Sequence, residues 1–357
     1  MNAPSSKPPH HGLDGRYRNP WPESAGDDAM RGELGKVARE WLFGSHPPDP
    51  RSEQLPVAPW ASLRTSPGPD EVRVTWVGHA SFLLEFPGAN LLTDPVWSHR
   101  VPPFPGVGSR RFVPASPDLA ALPDIHGVLI SHDHFDHLDR PTIRLLHRRY
   151  GDSIEWFTPP GYRSWFRRIG ISRVTELDWW ESKPGPGGYI VTAAPARHWT
   201  RRTPWGTNRR LWNSWVVKPR TDSPGTADPS SGRPGGASDG SERAPRLYFG
   251  GDTAYASHFT DVAERLGPFD VSLLPIGAYE PRWFMKFSHM NPEEAVQSFI
   301  DLGSNGDFIP THWGTFRLTF EDPLEPPERT RAAWTEAGLD EARLRIPRHG
   351  ETLLVRR

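Results

Sequence analysis

Three histidines and Asp136 fall within six residues of this chain, in the run His132-Asp133-His134-Phe135-Asp136-His137. The run directly follows an apolar segment at residues 126–130, which predicts a buried strand that ends where the histidines begin. In a tight loop, residues two apart can turn toward one point, so His132 and His134 can hold one metal ion while the end of the run holds a second. A solvated polar loop has no structural need for this many histidines, so the run predicts a metal site at the end of a strand.

Further metal ligands are expected downstream, because two metal ions need about seven protein ligands. The chain contains no cysteine, so these ligands must be histidines or carboxylates, which suit zinc and also iron or manganese. Three polar residues stand at the ends of apolar strand candidates: His198 after residues 191–194, Asp252 after residues 247–251 and His312 after residues 308–310. A carboxylate can bridge two cations, so we expect Asp252 to be shared between them. His79 and His258 are interpreted as structural.

Charge and hydropathy exclude several classes of protein. The 42 Lys and Arg residues nearly balance the 43 Asp and Glu residues, and a net charge of -1 gives no basic field that would attract nucleic acid. No run of about 18 apolar residues is present, so no membrane span is predicted. The polar, proline-rich first 22 residues lack the apolar core of a signal peptide, and we expect a cytoplasmic protein.

The chain is expected to form one α/β domain with two disordered stretches. Residues 1–28 are predicted to be a disordered arm, and residues 29–357 a single domain. Residues 219–245 are rich in Gly, Ser, Pro and Asp, with almost no apolar residue, and are predicted to be a disordered insertion between neighbouring strands. Apolar patterning predicts helices at residues 30–42, 141–149, 292–302 and 326–337, and strands at residues 72–77, 81–86, 90–93, 126–130, 154–157, 189–194, 211–217, 246–249, 270–276 and 353–355.

The order of the polar residues resembles that of the metallo-β-lactamase superfamily. In that superfamily His-x-His-x-Asp-His is followed by a histidine, an aspartate and a histidine at strand ends, as at His198, Asp252 and His312 here. The resemblance implies an α/β fold of the four-layer αββα sandwich type, with the metals at one edge. Asp94, in Leu92-Thr93-Asp94-Pro95, matches an early aspartate of the superfamily that orients a metal ligand.

Longer motifs resemble one family within this group, the phospholipases D that hydrolyse N-acyl-phosphatidylethanolamine. The resemblance covers roughly residues 70–340 outside the insertion and rests on Trp76-Val77-Gly78-His79-Ala80, Glu176-Leu177-Asp178-Trp179-Trp180, Gly277-Ala278-Tyr279-Glu280-Pro281-Arg282-Trp283-Phe284-Met285-Lys286 and His312-Trp313-Gly314-Thr315-Phe316. It implies two zinc ions per chain, with the ligands divided as follows: His132, His134 and His198 hold one ion, Asp136, His137 and His312 hold the other, and Asp252 bridges them.

The same resemblance suggests residues that bind substrate. It places His289 near the substrate phosphate and Phe135 along the substrate site. Phe135 and Ser288 depart from the tyrosine and glutamine of the animal enzymes, so the same head-group preference is not implied. Arg201 and Arg202 follow the predicted ligand His198, and two cations beside a metal site suit an anionic phosphate. An ordinary solvated pair is the alternative, since arginine pairs recur along the chain.

The sequence therefore predicts a zinc-dependent phosphodiester hydrolase of the phospholipase D type, in which a hydroxide shared by the metals attacks phosphorus. Asp136, Asp252 and His289 are the expected catalytic residues, and the products are phosphatidic acid and an N-acylethanolamine. A lactonase or a non-lipid phosphodiesterase on the same fold is the nearest alternative, since fold does not fix substrate. A metal-binding protein without catalysis and an iron-dependent redox enzyme are further alternatives, whereas the near-zero charge disfavours a nuclease. The resemblance also suggests a homodimer, and a lipid substrate suggests peripheral contact with a membrane surface.

Overall fold

Two β-sheets organise the chain, which a computed structural model describes at residues 7–27, 32–44, 46–60, 65–104, 107–220 and 244–357. In chain order the strands are β1 (Glu71–Gly78), β2 (Ser81–Phe86), β3 (Ala89–Thr93), β4 (Arg100–Phe104), β5 (Val107–Arg110), β6 (Gly127–Leu129), β7 (Glu155–Thr158), β8 (Val174–Glu176), β9 (Ser182–Pro184), β10 (Tyr189–Ala194), β11 (Ser214–Pro219), β12 (Leu247–Phe249), β13 (Val271–Pro275), β14 (Asp307–Thr311) and β15 (Thr352–Arg356). The α-helices are α1 (Leu34–Phe43), α2 (Arg140–Tyr150), α3 (Arg163–Arg167), α4 (His258–Leu266), α5 (Arg282–Met285), α6 (Pro292–Asp301) and α7 (Glu325–Glu336).

The two large sheets have mixed strand directions. The first has the order β15-β1-β2-β3-β6-β7-β8, antiparallel from β15 to β3 and parallel from β3 to β8. The second has the order β14-β13-β12-β11-β10-β9, parallel from β14 to β12 and antiparallel beyond. The strands β4 and β5 form a separate hairpin.

Three apolar layers show how the sheets and helices stack. One layer joins the inner faces of the two sheets through residues such as Phe82 and Trp215. A second packs Ile143 and Leu146 of α2 against the outer face of the first sheet. A third packs helices α4, α6 and α7 against the outer face of the second sheet, with Trp334 fully buried in it. The order helix, sheet, sheet, helix confirms the predicted αββα sandwich.

The predicted helices and strands are all found, with ends shifted by at most four residues. The helix predicted at residues 30–42 begins at Leu34, and α6 is capped by Asn291, whose side chain accepts a hydrogen bond from the backbone of Glu294. The prediction missed the strands β4, β5, β8 and β9 and the helices α3, α4 and α5. All of these except α4 are runs of three to five residues, which are too short to show a period of their own. The nine-residue helix α4 was also missed.

The N-terminal segment, residues 7–27, differs from the predicted disordered arm. Instead it lies along the domain, where Asp27 forms a buried ion pair with Arg197 at 2.9 Å and the ring of Trp21 stacks on Trp179. These contacts explain why a polar, proline-rich stretch is ordered, because paired charges and aromatic stacking replace an apolar core. Residues 1–6 and 28, and residues 221–243 of the predicted insertion, lie outside the described residues.

In the part of the chain that the structure describes, no helix could span a membrane. None of these helices combines the length and the apolar run that crossing a bilayer requires.

Candidate metal centre

The candidate ligands all follow the carboxyl ends of strands that run in one direction within their sheet. In the first sheet β3 and β6 are parallel. In the second sheet β12, β13 and β14 are parallel, and β10 shares their direction because β10 and β12 are both antiparallel to β11. Segments that leave these strands therefore meet at one edge of the sandwich. At this edge lie Asp94, residues 131–137, His198, Asp252 and His312.

The first candidate group comprises His132, His134, His198 and Asp252, whose ligand atoms all lie within 4.8 Å of one another. The Nδ1 atom of His134 lies 2.8 Å from His132 Nε2 and 3.1 Å from His198 Nε2. Burial lowers the pKa of His134 to about 4 and that of His198 to about 3, so both imidazoles are neutral and can offer lone pairs. His198 Nδ1 donates to the carbonyl of Ser288 at 2.9 Å, which turns Nε2 toward the group.

The second candidate group comprises Asp136, His137 and His312 together with His79, again with ligand atoms within 4.8 Å of one another. Asp136 Oδ2 lies 3.4 Å from His137 Nε2 and 3.5 Å from His312 Nε2. The structure thus brings together all seven residues for which the sequence predicts a metal ligand, in two adjacent groups.

Asp252 lies between the two groups. Its Oδ2 atom is 3.6 Å from His132 Nε2, and its Oδ1 atom is 3.2 Å from His312 Nε2. This is the position that a bridging carboxylate requires. The preceding Gly251 has φ +60°, and a Cβ there would lie 2.6 Å from the Cβ of Ser131. Only glycine lets the Asp252 loop approach the loop after β6 this closely.

His79 is a residue of the centre that the sequence interpretation missed, since it was assigned a structural role. Its Nε2 atom lies 2.9 Å from Asp136 Oδ2. Burial and the neighbouring His312 lower the pKa of His79 to about 3, so a neutral ring donates this hydrogen bond. The signal was present, because His79 follows the end of the apolar strand β1, the same context that marked His198 and His312. His258 lies outside both groups, against Trp21 and Phe259.

We expect the His79→Gln substitution to lower the affinity for the more weakly held metal ion by roughly 10- to 100-fold, as is typical when a partner of a metal ligand is lost. The reason is that Asp136 loses the donor that fixes its carboxylate. Competition with a fluorescent zinc chelator measures the affinity. His99→Gln, at an exposed histidine, is the matched control. Equal affinities in the two variants would show that His79 only fills space.

Asp94 has the contacts expected of a residue that orients a ligand. It is fully buried, and its Oδ2 atom accepts a hydrogen bond from His137 Nδ1 at 2.7 Å. Its Oδ1 atom accepts from the backbone of Ser131 at 2.7 Å. Because Nδ1 of His137 donates to Asp94, the ring is oriented with its Nε2 atom toward Asp252, at 3.1 Å from Oδ2.

Five buried atoms of the candidate ligands have no hydrogen-bond partner among the described residues: His134 Nε2, His137 Nε2, His312 Nδ1, His312 Nε2 and Asp252 Oδ1. An unpaired buried polar atom costs about 1–3 kcal/mol, so a ligand is expected to pair them. Although burial lowers the pKa of His137, the carboxylates of Asp252 and Asp136 hold it well above its usual range, so the surroundings favour positive charge. Divalent cations fit a position that is surrounded, as here, by imidazole nitrogens and carboxylate oxygens.

A cavity of about 380 Å³ opens over the centre. Its floor contains candidate ligands, and its walls are largely apolar, with Val101, Phe135, Trp199, Phe284, Met285 and Leu318. His289 lines the same cavity, and its Nε2 atom is 3.9 Å from Asp252 Oδ2. His289 therefore lies beside the candidate ligands, and its predicted place near the substrate phosphate stays a prediction.

The two arginines of the predicted substrate pair lie in different environments. Arg202 donates to the carbonyl of Asp133 at 2.9 Å, and its guanidinium lies 4.2 Å from the ring centre of Phe135. Phe135 lines both the cavity over the centre and a neighbouring cavity of about 580 Å³, which Arg202 also lines. Arg201 is exposed and lines neither cavity. The structure therefore does not support the prediction for Arg201.

Comparison with known proteins decides the family. A family model described as a beta-lactamase superfamily domain matches residues 89–313 of this chain, which include all the candidate ligands except His79. The chain belongs to the metallo-β-lactamase superfamily. A solved structure of similar fold is that of a metallo hydrolase of the archaeon Ignicoccus hospitalis, with a TM-score of 0.57, 19% identity, and coverage of 80% of this chain and 99% of that one.

Curated relatives within the superfamily are more similar in sequence. An uncharacterised protein of Mycobacterium tuberculosis is 40% identical over 264 residues, 73% of this chain. The chain spans 63% of the length of that relative. The N-acyl-phosphatidylethanolamine-hydrolyzing phospholipase D 1 of Caenorhabditis elegans is 37% identical over 267 residues, 72% of this chain and 68% of that protein. The family resemblance seen in the tryptophan-rich motifs is confirmed by this similarity.

Proposed function

We propose that this chain is a zinc-dependent phosphodiester hydrolase of the phospholipase D type, with N-acyl-phosphatidylethanolamine or a related phospholipid as substrate. One observation carries the proposal: two groups of candidate metal ligands meet at Asp252, beneath a cavity with largely apolar walls. The name of the nematode relative, an N-acyl-phosphatidylethanolamine-hydrolyzing phospholipase D, supports the substrate class. The zinc, the substrate, the cytoplasmic location and the homodimer remain predictions.

The residues of the centre would have different roles in such a reaction. Two bound divalent cations would activate water and polarise a phosphoryl oxygen. Asp252 would be shared by both cations, while Asp94 and His79 hold His137 and Asp136 in place. Water adds to phosphorus, the bond between phosphorus and the oxygen of the N-acylethanolamine breaks, and that oxygen takes up a proton. His289, beside Asp252, would donate a hydrogen bond to the phosphate.

The surroundings of the centre suit a lipid with an anionic phosphate. Phe284, Met285 and Leu318 offer apolar surface to an acyl chain. The neighbouring cavity is lined by several arginines, Arg100, Arg140, Arg168, Arg202 and Arg210, beside the rings of Phe135 and Trp165. Trp205, two residues after Thr203 of this lining, is 81% exposed and is close in sequence to Arg201 and Arg209. Exposed Trp and Arg side chains suit the interface of a membrane, which supports peripheral membrane contact.

The test is to count the metal ions in the purified protein and to assay the same sample on three substrates: N-acyl-phosphatidylethanolamine, bis(p-nitrophenyl) phosphate and a simple lactone. We expect about two zinc ions in the centre and release of the N-acylethanolamine that stops when a chelator is added. Cleavage of the simple diester alone would contradict the lipid substrate, and cleavage of the lactone alone would contradict phosphodiester chemistry.

A cavity variant makes this test specific. Phe284→Ala removes apolar surface from the cavity wall without touching a candidate ligand, and we expect KM for the lipid to rise roughly tenfold. The simple diester has no acyl chain, so its KM should not change. Equal effects on both substrates would mean that the wall does not contact the acyl chain.

A further inference from the structure

A second cluster of potential metal ligands lies away from the centre just described. His10 and His11, in the N-terminal segment, meet Asp178, which follows β8. His10 Nε2 lies 2.8 Å from Asp178 Oδ1, and His11 Nε2 lies 2.6 Å from Asp178 Oδ2. Each carboxylate oxygen therefore faces one imidazole nitrogen, and the ligand atoms all lie within 4.8 Å of one another.

The two imidazole rings are held in this orientation by aromatic neighbours. The ring of His10 stacks on Trp179 with 4.1 Å between centres, and the ring of His11 meets Tyr17 edge-on at 5.0 Å. His10 is 4% exposed, so it has little room to turn. Because the nitrogens already point at the carboxylate, a ligand that binds there causes little further loss of side-chain conformational entropy.

The charge of this cluster favours a cation. Within the described residues Asp178 has no Lys or Arg nitrogen within 4.0 Å, and its side chain is only 20% exposed. Two imidazoles and a carboxylate are a set of donors that zinc and similar divalent metals prefer. The side chain of His11 is 28% exposed, which leaves a route for a metal ion and for water as a further ligand.

We propose that His10, His11 and Asp178 form an additional divalent-cation site, which fastens the N-terminal segment to the domain. The proposal goes beyond the hydrolase function and does not depend on it. The ligands come from positions 167 and 168 residues apart in the chain, so one bound ion would join segments that the sequence separates widely.

The N-terminal segment also contacts the loop that carries His198, a candidate ligand of the metal centre. Asn19 donates one hydrogen bond to the backbone carbonyl of His198 at 2.9 Å and another to Asp27 at 2.7 Å. Asp27 in turn pairs with Arg197, the residue before His198. An ion at the new site would therefore stabilise the loop that carries a candidate ligand of the centre, without contacting that centre.

The experiment compares the zinc content of four proteins, each dialysed against the same zinc buffer and measured by plasma mass spectrometry. We expect the double variant His10→Ala/His11→Ala to hold one zinc ion per chain fewer than the unaltered protein. The control His99→Ala should hold as many as the unaltered protein. Asp178→Asn, which keeps the shape of the side chain, should lose the same single ion even if the double variant folds poorly.

Equal zinc content in the unaltered protein, the double variant and Asp178→Asn would overturn the proposal and leave a plain hydrogen-bonded cluster. The outcome is independent of the hydrolase proposal, because no substrate is used. If the protein cleaves no ester but still loses one ion in both variants, the hydrolase proposal fails and the additional site stands.

Discussion

Replacing Asp252 with asparagine is expected to lower the rate of ester hydrolysis by at least about a thousandfold and to release metal from the centre. Both carboxylate oxygens face candidate ligands, with His137 and His312 at 3.1 and 3.2 Å. Burial raises the pKa of Asp252, but the imidazoles of His137 and His312 outweigh burial and hold it well below its usual range, so the group is a carboxylate. An amide has no charge to share between two cations.

Two measurements on the same sample check this prediction, namely metal ions per chain and initial rates on the phosphodiester. Asp152→Asn is the matched control, because Asp152 is exposed and belongs to no ligand group. The control should keep both metal and rate. A variant at Asp252 that retained its metal and lost less than about tenfold in rate would contradict the shared role of this carboxylate.

Removal of metal is expected to lower the melting temperature by about 10 °C. A ligand present at about a thousand times its Kd stabilises the folded state by about 4 kcal/mol, and each kcal/mol shifts Tm by about 2–4 °C in a domain of this size. The physical reason is that the candidate ligands come from both sheets, His132 from the first and His198 from the second. Metal ions at this edge therefore join the two halves of the sandwich.

Differential scanning calorimetry with and without a strong chelator measures this shift, and zinc added back should reverse it. The Asp252→Asn variant is an internal control, since a protein that binds less metal should respond less to the chelator. A chelator effect of the same size in both proteins would place the stabilising ion elsewhere, and no effect in either would contradict the proposed link between metal and fold.

The seven predicted ligands could be identified from the sequence because their signal is local. Each predicted ligand lies in the segment that follows an apolar strand. Strands that run in the same direction end at the same edge of their sheet, so the segments that follow them meet there. His79 has the same signal, but it comes before the histidine run, and only the pairing of β1, β2 and β3 shows that its strand runs in the required direction. The sequence therefore contained the clue but not the pairing that interprets it.

The N-terminal segment shows a different limit of sequence reasoning. Its composition is polar and rich in proline, which predicts disorder, yet His10, Asn19 and Asp27 each have a specific partner in the domain. Those partners lie about 170 residues away, with separations of 168, 179 and 170 positions, so no window along the chain could reveal them. Likewise, the sequence could not show which arginine of the pair at 201 and 202 turns toward Phe135, since that depends on the path of the loop.

The direction of β11 and β12 has a practical consequence. The strand β11 begins at the edge that carries the metal centre and runs away from it, and β12 returns, with Val217 paired to Leu247 near the far end. The described chain therefore leaves β11 at Pro219 and enters β12 at Leu247 on the side of the sheet opposite the metal centre. A fluorophore or an affinity handle inserted there would allow the protein to be immobilised on a sensor surface with its cavity open to vesicles in the flow.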